Sequence, residues 1–227
     1  MTELKELRIP FTWENRQPVL LDRFFYVPPV YDRHEEFPPI SWSDIKIFGN
    51  DREIMLEYCS GNGQWICEKA KQYPNYNWVA LDVRFDRSKK TWGRLHREKI
   101  TNLYVICGEA IVLTKHYLQK NSLKEVFMNF PDPWPKLRHA KHRLVQRPFI
   151  EEMEQLLVRG GKATFVTDDA PYSRQMLAVF AELSSWRPLL DAPHYELNPK
   201  NYGDSFFSDL WMKKGRDIYF LPFQKVL

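Results

Sequence analysis

Glu53-Ile54-Met55-Leu56-Glu57-Tyr58-Cys59-Ser60-Gly61-Asn62-Gly63 runs from an apolar stretch into a glycine turn, and the period of the chain changes across it. Residues 53–58 read as a strand. Beyond the turn, Ile66, Ala70 and Tyr73 recur at i, i+4 and i+7, one face of a helix, and Pro74 stops the run. This strand–turn–helix unit is the first of an alternation. Trp78–Leu81 is a second strand, followed by a basic helix over about Asp86–Glu98. Leu103–Cys107 is a third strand, Glu125–Phe130 a fourth and Lys162–Thr167 a fifth. A helix starts near Pro148, with Phe149, Met153, Leu156 and Leu157 as its core face and Gly160-Gly161 as its end. Another carries Met176, Phe180 and Leu183, and Ile218–Phe223 is the last strand. Continuous apolar strands alternating with helices specify an α/β fold, doubly wound, with a mostly parallel sheet covered by helices on both faces.

On the other side of residue 53 the pattern is lost. Residues 1–50 are rich in proline and aromatic side chains, with Pro28-Pro29 and Pro38-Pro39 bracketing polar stretches. They read as an extended arm packed on a core domain of residues 51–227. The 227 residues suffice for one such domain, and 44% apolar composition excludes a disordered chain. No apolar run is long enough to span a bilayer, and the first residues lack the apolar core of a signal peptide. Cys59, Cys67 and Cys107 are odd in number and lack metal-ligand spacing, which points to a reduced cytoplasm and away from a metal site. The net charge of +4 is too small to name a partner. Nothing in the chain specifies an oligomeric state.

In open α/β sheets, ligands bind beyond the carboxyl ends of the strands. Four strands end with a carboxylate close by, Glu57, Asp82, Glu109 and Asp132, at intervals of about one strand–helix unit, and Asp168 follows the fifth. One such acid is commonly a helix cap; several along one rim form a polar crescent. Gly61 and Gly63 permit positive φ and close approach of a ligand to the backbone. An acid at the end of the second strand, Asp82, suits both hydroxyls of a ribose. That combination fits NAD as well as S-adenosylmethionine. The absence of a full G-x-G-x-x-G fingerprint, and Glu57 where a pyrophosphate would be repelled, favour S-adenosylmethionine, whose sulfonium and amino group suit a carboxylate-rich rim.

The fourth strand leads into Asn129–Arg143, N-F-P-D-P-W-P-K-L-R-H-A-K-H-R. Pro131, Pro133 and Pro135 stiffen this loop around one carboxylate, Asp132, and one indole, Trp134. Lys136, Arg138, Lys141 and Arg143 follow, with His139 and His142 between them. An acid-plus-aromatic pocket beside a phosphate-seeking patch points to an enzyme acting on a base within a nucleic acid. The basic run by itself fits a solvated face equally well.

Together, Leu56-Glu57-x-x-x-Gly61-x-Gly63, Asp82, the Asn129–Lys136 loop with Arg138-His139-x-Lys141-x-Arg143, and Thr167-Asp168-x-x-x-Tyr172 resemble the bacterial tRNA (guanine-N7-)-methyltransferases, from about residue 40 to the end. The resemblance implies a Rossmann-like methyltransferase sheet and methyl transfer from S-adenosylmethionine to N7 of a guanine in the tRNA variable loop, position 46. It implies a cofactor site lined by Glu57, Asp82, Glu109 and Asp132, substrate contacts from Lys136 and Asp168, and RNA contacts from Arg138, His139, Lys141, His142 and Arg143. The segment Ser205-Phe206-Phe207-Ser208 is similar to the family's T-x-[FY]-E motif, which adds Ser205 and Ser208 as substrate-binding candidates. Four positions depart from the pattern. Cys59 replaces the first glycine of the turn, Glu109 replaces an aspartate, and Ser205 and Ser208 replace Thr and Glu, with Asp209 as the nearest carboxylate.

Guanine N7 carries a lone pair and no proton, so its methylation needs alignment rather than a general base. Positive charge moves onto the purine during transfer, and Asp132 is the candidate catalytic group that stabilises it. Trp134 fits either a stacking platform or a wedge packed against the loop. An amino-group methyltransferase of the same fold, whose loop would read Asn-Pro-Pro-aromatic, is a weaker reading. So are an inactive tRNA-binding homologue and an NAD-dependent oxidoreductase.

Overall fold

The computed structural model describes Leu7, residues 16–200, Tyr202 and residues 206–226, apart from the side chains at 137 and 206–209. The chain divides into two compact units, Met1–Gln119 and Lys120–Leu227. The fold is of the mixed α/β class, with its central strands parallel.

In the first unit the strands are β1 (Val19–Leu21), β2 (Phe24–Tyr26), β3 (Ile54–Tyr58), β4 (Asn77–Asp82) and β5 (Leu103–Cys107), in the spatial order β1-β2-β5-β4-β3. Every residue of β3, β4 and β5 is buried, as expected of parallel strands covered on both faces. The helices are α1 (Gln64–Gln72), α2 (Phe85–Arg97) and α3 (Ala110–His116). Ile66 and Ala70 of α1 are buried as their spacing requires, whereas Tyr73 caps the helix at 42% exposure.

Residues 19–26, expected to be part of an extended arm, instead pair as a hairpin, Leu21 against Phe24 across the two-residue turn Asp22-Arg23. Arg23 takes φ +56° there. β2 then adds in parallel to β5, Phe25 opposite Ile106. The turn is tied down by Trp92 Nε1 donating to Asp22 O at 2.7 Å and by Arg23 Nη1 donating to Ile100 O at 2.8 Å.

In the second unit β6 (Leu123–Asn129), β7 (Leu157–Thr167), β8 (Trp186–Pro188), β9 (Glu196–Leu197) and β10 (Tyr219–Lys225) lie in the order β6-β7-β10-β8, with β9 also on β10. The helices are α4 (Arg147–Leu156), α5 (Ala170–Ala181) and α6 (Phe206–Lys213). β6 and β7 are parallel, and β10 is antiparallel to β7. Phe149, Met153 and Leu156 bury the expected face of α4. The helix does not run to Gly160, however. It stops at Leu156, and Leu157 already pairs with Leu123. β6 advances two residues, to Glu125, while β7 advances to Lys162, so Gly160-Gly161 belong to a bulge rather than a helix end. Gly160 has φ +75°, and a Cβ on Gly161 would sit 2.8 Å from Val158 O.

Candidate functional site

The turn after β3 is built almost wholly from backbone. Cys59 (φ +58°), Gly61 (φ +56°) and Gly63 (φ +71°) take left-handed conformations that reverse the chain between β3 and α1. Ser60 N–H donates to Leu81 O at 3.0 Å, fastening the turn to β4. Asp82, the last residue of β4, is 4% exposed and accepts from two main-chain donors. Its Oδ2 takes Gly61 N–H and its Oδ1 takes Arg84 N–H, both at 2.8 Å. Burial raises the Asp82 carboxyl above its usual value, and those two bonds pull less strongly the other way. Asp82 therefore shapes the turn while each oxygen keeps a lone pair for a ligand hydroxyl.

Gly63 has a second reason to be glycine. A Cβ there would lie 2.8 Å from Thr91 Cβ and 2.4 Å from its Oγ1, so this position sets how closely α1 and α2 pack. Glu57 is 2% exposed near the end of β3. Glu109 stands at the N-cap of α3, exposed, with no side-chain capping bond. A buried carboxylate at one strand end and a ribose-type acceptor at the next fit the donor and charge pattern of S-adenosylmethionine. Cys59 adopts the left-handed backbone form a glycine would take, at a cost of roughly 1–2 kcal/mol.

The loop after β6, in the second unit, is built differently. Asn129 is buried and its Oδ1 accepts from Tyr202 O–H at 2.6 Å. Phe130 (φ +51°) and Trp134 (φ +42°) both occupy the left-handed region, an uncommon place for bulky side chains. Between them Pro131 is buried and Asp132 exposed. Trp134 N–H donates to Asp132 Oδ1 at 3.1 Å, an Asx turn that fixes the carboxylate. A 3-10 helix over Leu137–His142 follows. Lys136, Arg138, Lys141 and His142 are exposed, and His139 is half-buried. Half-buried Trp134 lies with its ring centroid 5.2 Å from that of His142 and 5.9 Å from that of His139.

Arg143 breaks the expected pattern. Read as an RNA contact, it is 6% exposed, because its guanidinium is taken up inside the protein. Nε donates to Pro133 O and Nη1 to Gln175 Oε1, each at 2.7 Å. The cation also lies 4.8 Å from the centroid of the Tyr172 ring.

Asp168, just past β7, forms an ion pair with Arg216, whose guanidinium lies 4.2 Å from the Trp211 ring centroid. Asp169, passed over in the sequence, caps α5 by accepting Tyr172 N–H at 2.7 Å. The signal was there in Asp169-Ala170-Pro171, an N-cap followed by a first-turn proline. Gln175 and Arg216 carry no comparable local signal. Ser205 lies outside the described residues, as do the side chains of Ser208 and Asp209. Among the described residues no group of three or more His, Cys, Asp or Glu stands together as a metal site, and no helix is long and apolar enough to cross a membrane.

Comparison with known proteins agrees with this architecture. The 16S rRNA methyltransferase KamB superposes with a TM-score of 0.58 at 14% identity, over 79% of this chain and 91% of that one, which speaks to the fold alone. A family described as "Putative methyltransferase" matches residues 51–221. A tRNA (guanine-N(7)-)-methyltransferase of Chlamydia trachomatis serovar D is 41% identical over 221 residues, 97% of either chain. One from Pectobacterium atrosepticum is 30% identical over 93% of this chain and 87% of its own. With a backbone-built turn after β3, an acid-bearing loop after β6 and full-length similarity at this level, the chain belongs to the tRNA (guanine-N(7)-)-methyltransferase family.

Proposed function

We propose that this protein transfers a methyl group from S-adenosylmethionine to N7 of a guanine in tRNA, the variable-loop guanine at position 46. The observation that carries the reading is the bent Phe130–Trp134 segment, which holds an exposed carboxylate in an Asx turn beside exposed basic side chains, in a chain similar to such enzymes over nearly its whole length. The cofactor, when bound, supplies a methyl carbon made electrophilic by the sulfonium. Asp82 would take the ribose hydroxyls on its remaining lone pairs, Gly61 would let the ligand approach the main chain, and Glu57 and Glu109 would supply carboxylates for its cationic end and its base.

On the acceptor side, Asp132 receives the guanine N1–H and amino group and offsets the charge that develops on the purine. No residue has to remove a proton, because N7 bears none. Lys136, Arg138 and Lys141 hold phosphates, which supplies affinity without sequence information. Trp134, with His139 and His142 around it, offers a stacking surface. Asp168 contacts substrate through a carboxylate already oriented by Arg216. Three free cysteines, two of them buried, suit a reducing cytoplasm. The test is direct: incubate the protein with tRNA and methyl-labelled S-adenosylmethionine, digest, and identify the labelled nucleoside. N7-methylguanosine from tRNA with guanine at position 46, and none when adenine stands there, is the expected result. Label in an amino-methylated base would overturn it.

A further inference from the structure

We infer that Arg143 is a positioning residue for the transfer step, a buried clamp that holds the bend carrying Asp132 and Trp134. The kinetic part of this inference rests on the function proposed above. The bend needs an external hold. Pro131 and Pro133 have no N–H to donate, and Phe130 and Trp134 sit in left-handed conformations that persist only where surroundings over-determine them. Arg143 reaches back ten residues to Pro133 O, the carbonyl of the peptide that leads into Trp134.

The other end of the clamp is α5. Asp169, Tyr172 and Gln175, spaced three apart, share one face of its first two turns. Gln175 Oε1 accepts from Arg143 at 2.7 Å while its Nε2 donates to Val145 O at 3.1 Å. The Tyr172 hydroxyl oxygen accepts from Val145 N–H at 3.0 Å, and its ring centroid lies 4.8 Å from the guanidinium carbon. Asp169 Oδ1, 3.8 Å from Nη2, balances the buried charge while capping the helix. A guanidinium can bond in several in-plane directions and stack on a ring at once; an ammonium cannot. Charge alone therefore does not meet the requirement, and the last residue of a basic run acts through geometry rather than through RNA.

The experiment compares wild type with Arg143→Lys, Arg143→Ala and Gln175→Ala. Single-turnover methylation is measured at saturating tRNA and cofactor, tRNA affinity across salt, and native-state trypsin cleavage after Lys136, Arg138 and Lys141. Arg143→Lys is expected to fall roughly ten- to a hundred-fold in single-turnover rate, the scale for a small misplacement of a reacting group. Its salt slope should equal that of wild type, and its loop should be cut faster. Gln175→Ala, which leaves the charge in place and removes one partner, should show the same signature more weakly, and it decides the matter if Arg143→Ala does not fold. The proposal is overturned if Arg143→Lys keeps the wild-type rate and trypsin resistance. It is equally overturned if Arg143→Ala lowers the log–log salt slope by the roughly 0.7–0.9 expected when one phosphate is no longer neutralised. A wild-type protein that methylates no tRNA would count against the functional reading; equal trypsin cleavage of wild type and Arg143→Lys would count against the clamp.

Discussion

The turn after β3 and the loop after β6 both follow parallel strands, yet they are held in opposite ways. The first is fastened by main-chain bonds and one buried carboxylate, Asp82. The second exposes its acid and its cations, and it depends on side chains arriving from elsewhere in the second unit, Arg143 above all. A site for a small, invariant cofactor can be made of backbone. A surface for RNA needs exposed side chains, whose placement has to be imposed from behind.

That contrast puts the largest single effect in the exposed loop. Asp132→Asn keeps the size and one acceptor of the side chain but removes its charge. Single-turnover transfer should fall by about 10²-fold, the scale for one preorganised electrostatic group, with the fold intact. Near wild-type turnover would mean that Asp132 only shapes its turn.

Asp82→Ala addresses the buried turn and should strike affinity and stability together. S-adenosylmethionine binding should weaken by roughly 1.5–3 kcal/mol in calorimetry. Two main-chain N–H groups, those of Gly61 and Arg84, are also deprived of their acceptor, so the thermal midpoint should drop as well. Retained stability would refute the structural half of this role. The sign of the pH dependence follows from the raised carboxyl. The folded chain keeps the Asp82 proton to higher pH than the unfolded chain does. The associated stability is complete below the ordinary aspartate value and fades as pH rises through the folded one. Cofactor affinity, which needs the ionised form, should climb across that same window just above the ordinary value.

Replacing Lys136, Arg138 and Lys141 together by Ala should weaken tRNA binding and flatten its salt dependence, by roughly 0.7–0.9 in slope for each phosphate that is no longer neutralised, leaving cofactor affinity untouched. An unchanged slope would reduce the run to a solvated face. The smallest effect belongs to Cys59→Gly, which relieves a left-handed residue but adds glycine's entropic cost of roughly 0.5–1 kcal/mol, so stability should rise by up to about 1 kcal/mol without altering transfer. A loss of cofactor binding there would give the thiol a role that its backbone does not suggest.

The sequence revealed what repeats and concealed what depends on distance. β3, β4 and β5 were readable because each is a continuous apolar run, and Gly61 and Gly63 because a turn needs them. Arg143 was not, since Lys136 to Arg143 reads as one basic patch and only burial separates its last member. The start of β7 was hidden because the apolar spacing of α4 continues into Leu157, and two glycines fit a helix end as well as a bulge. The hairpin at residues 19–26 was hidden by its length: three-residue strands give too few alternations for a period to emerge.

That hairpin bears on how the chain survives its own synthesis. β5 reads Leu-Tyr-Val-Ile-Cys, uncharged and fully buried, the kind of segment that recruits other chains when its edge is bare. β2 occupies that edge and leaves the ribosome first, so β5 meets a waiting partner as it emerges. An amino-terminal deletion that ends before Val19 keeps this guard, whereas one that removes Phe24–Tyr26 uncovers a sticky edge and should make the enzyme aggregate.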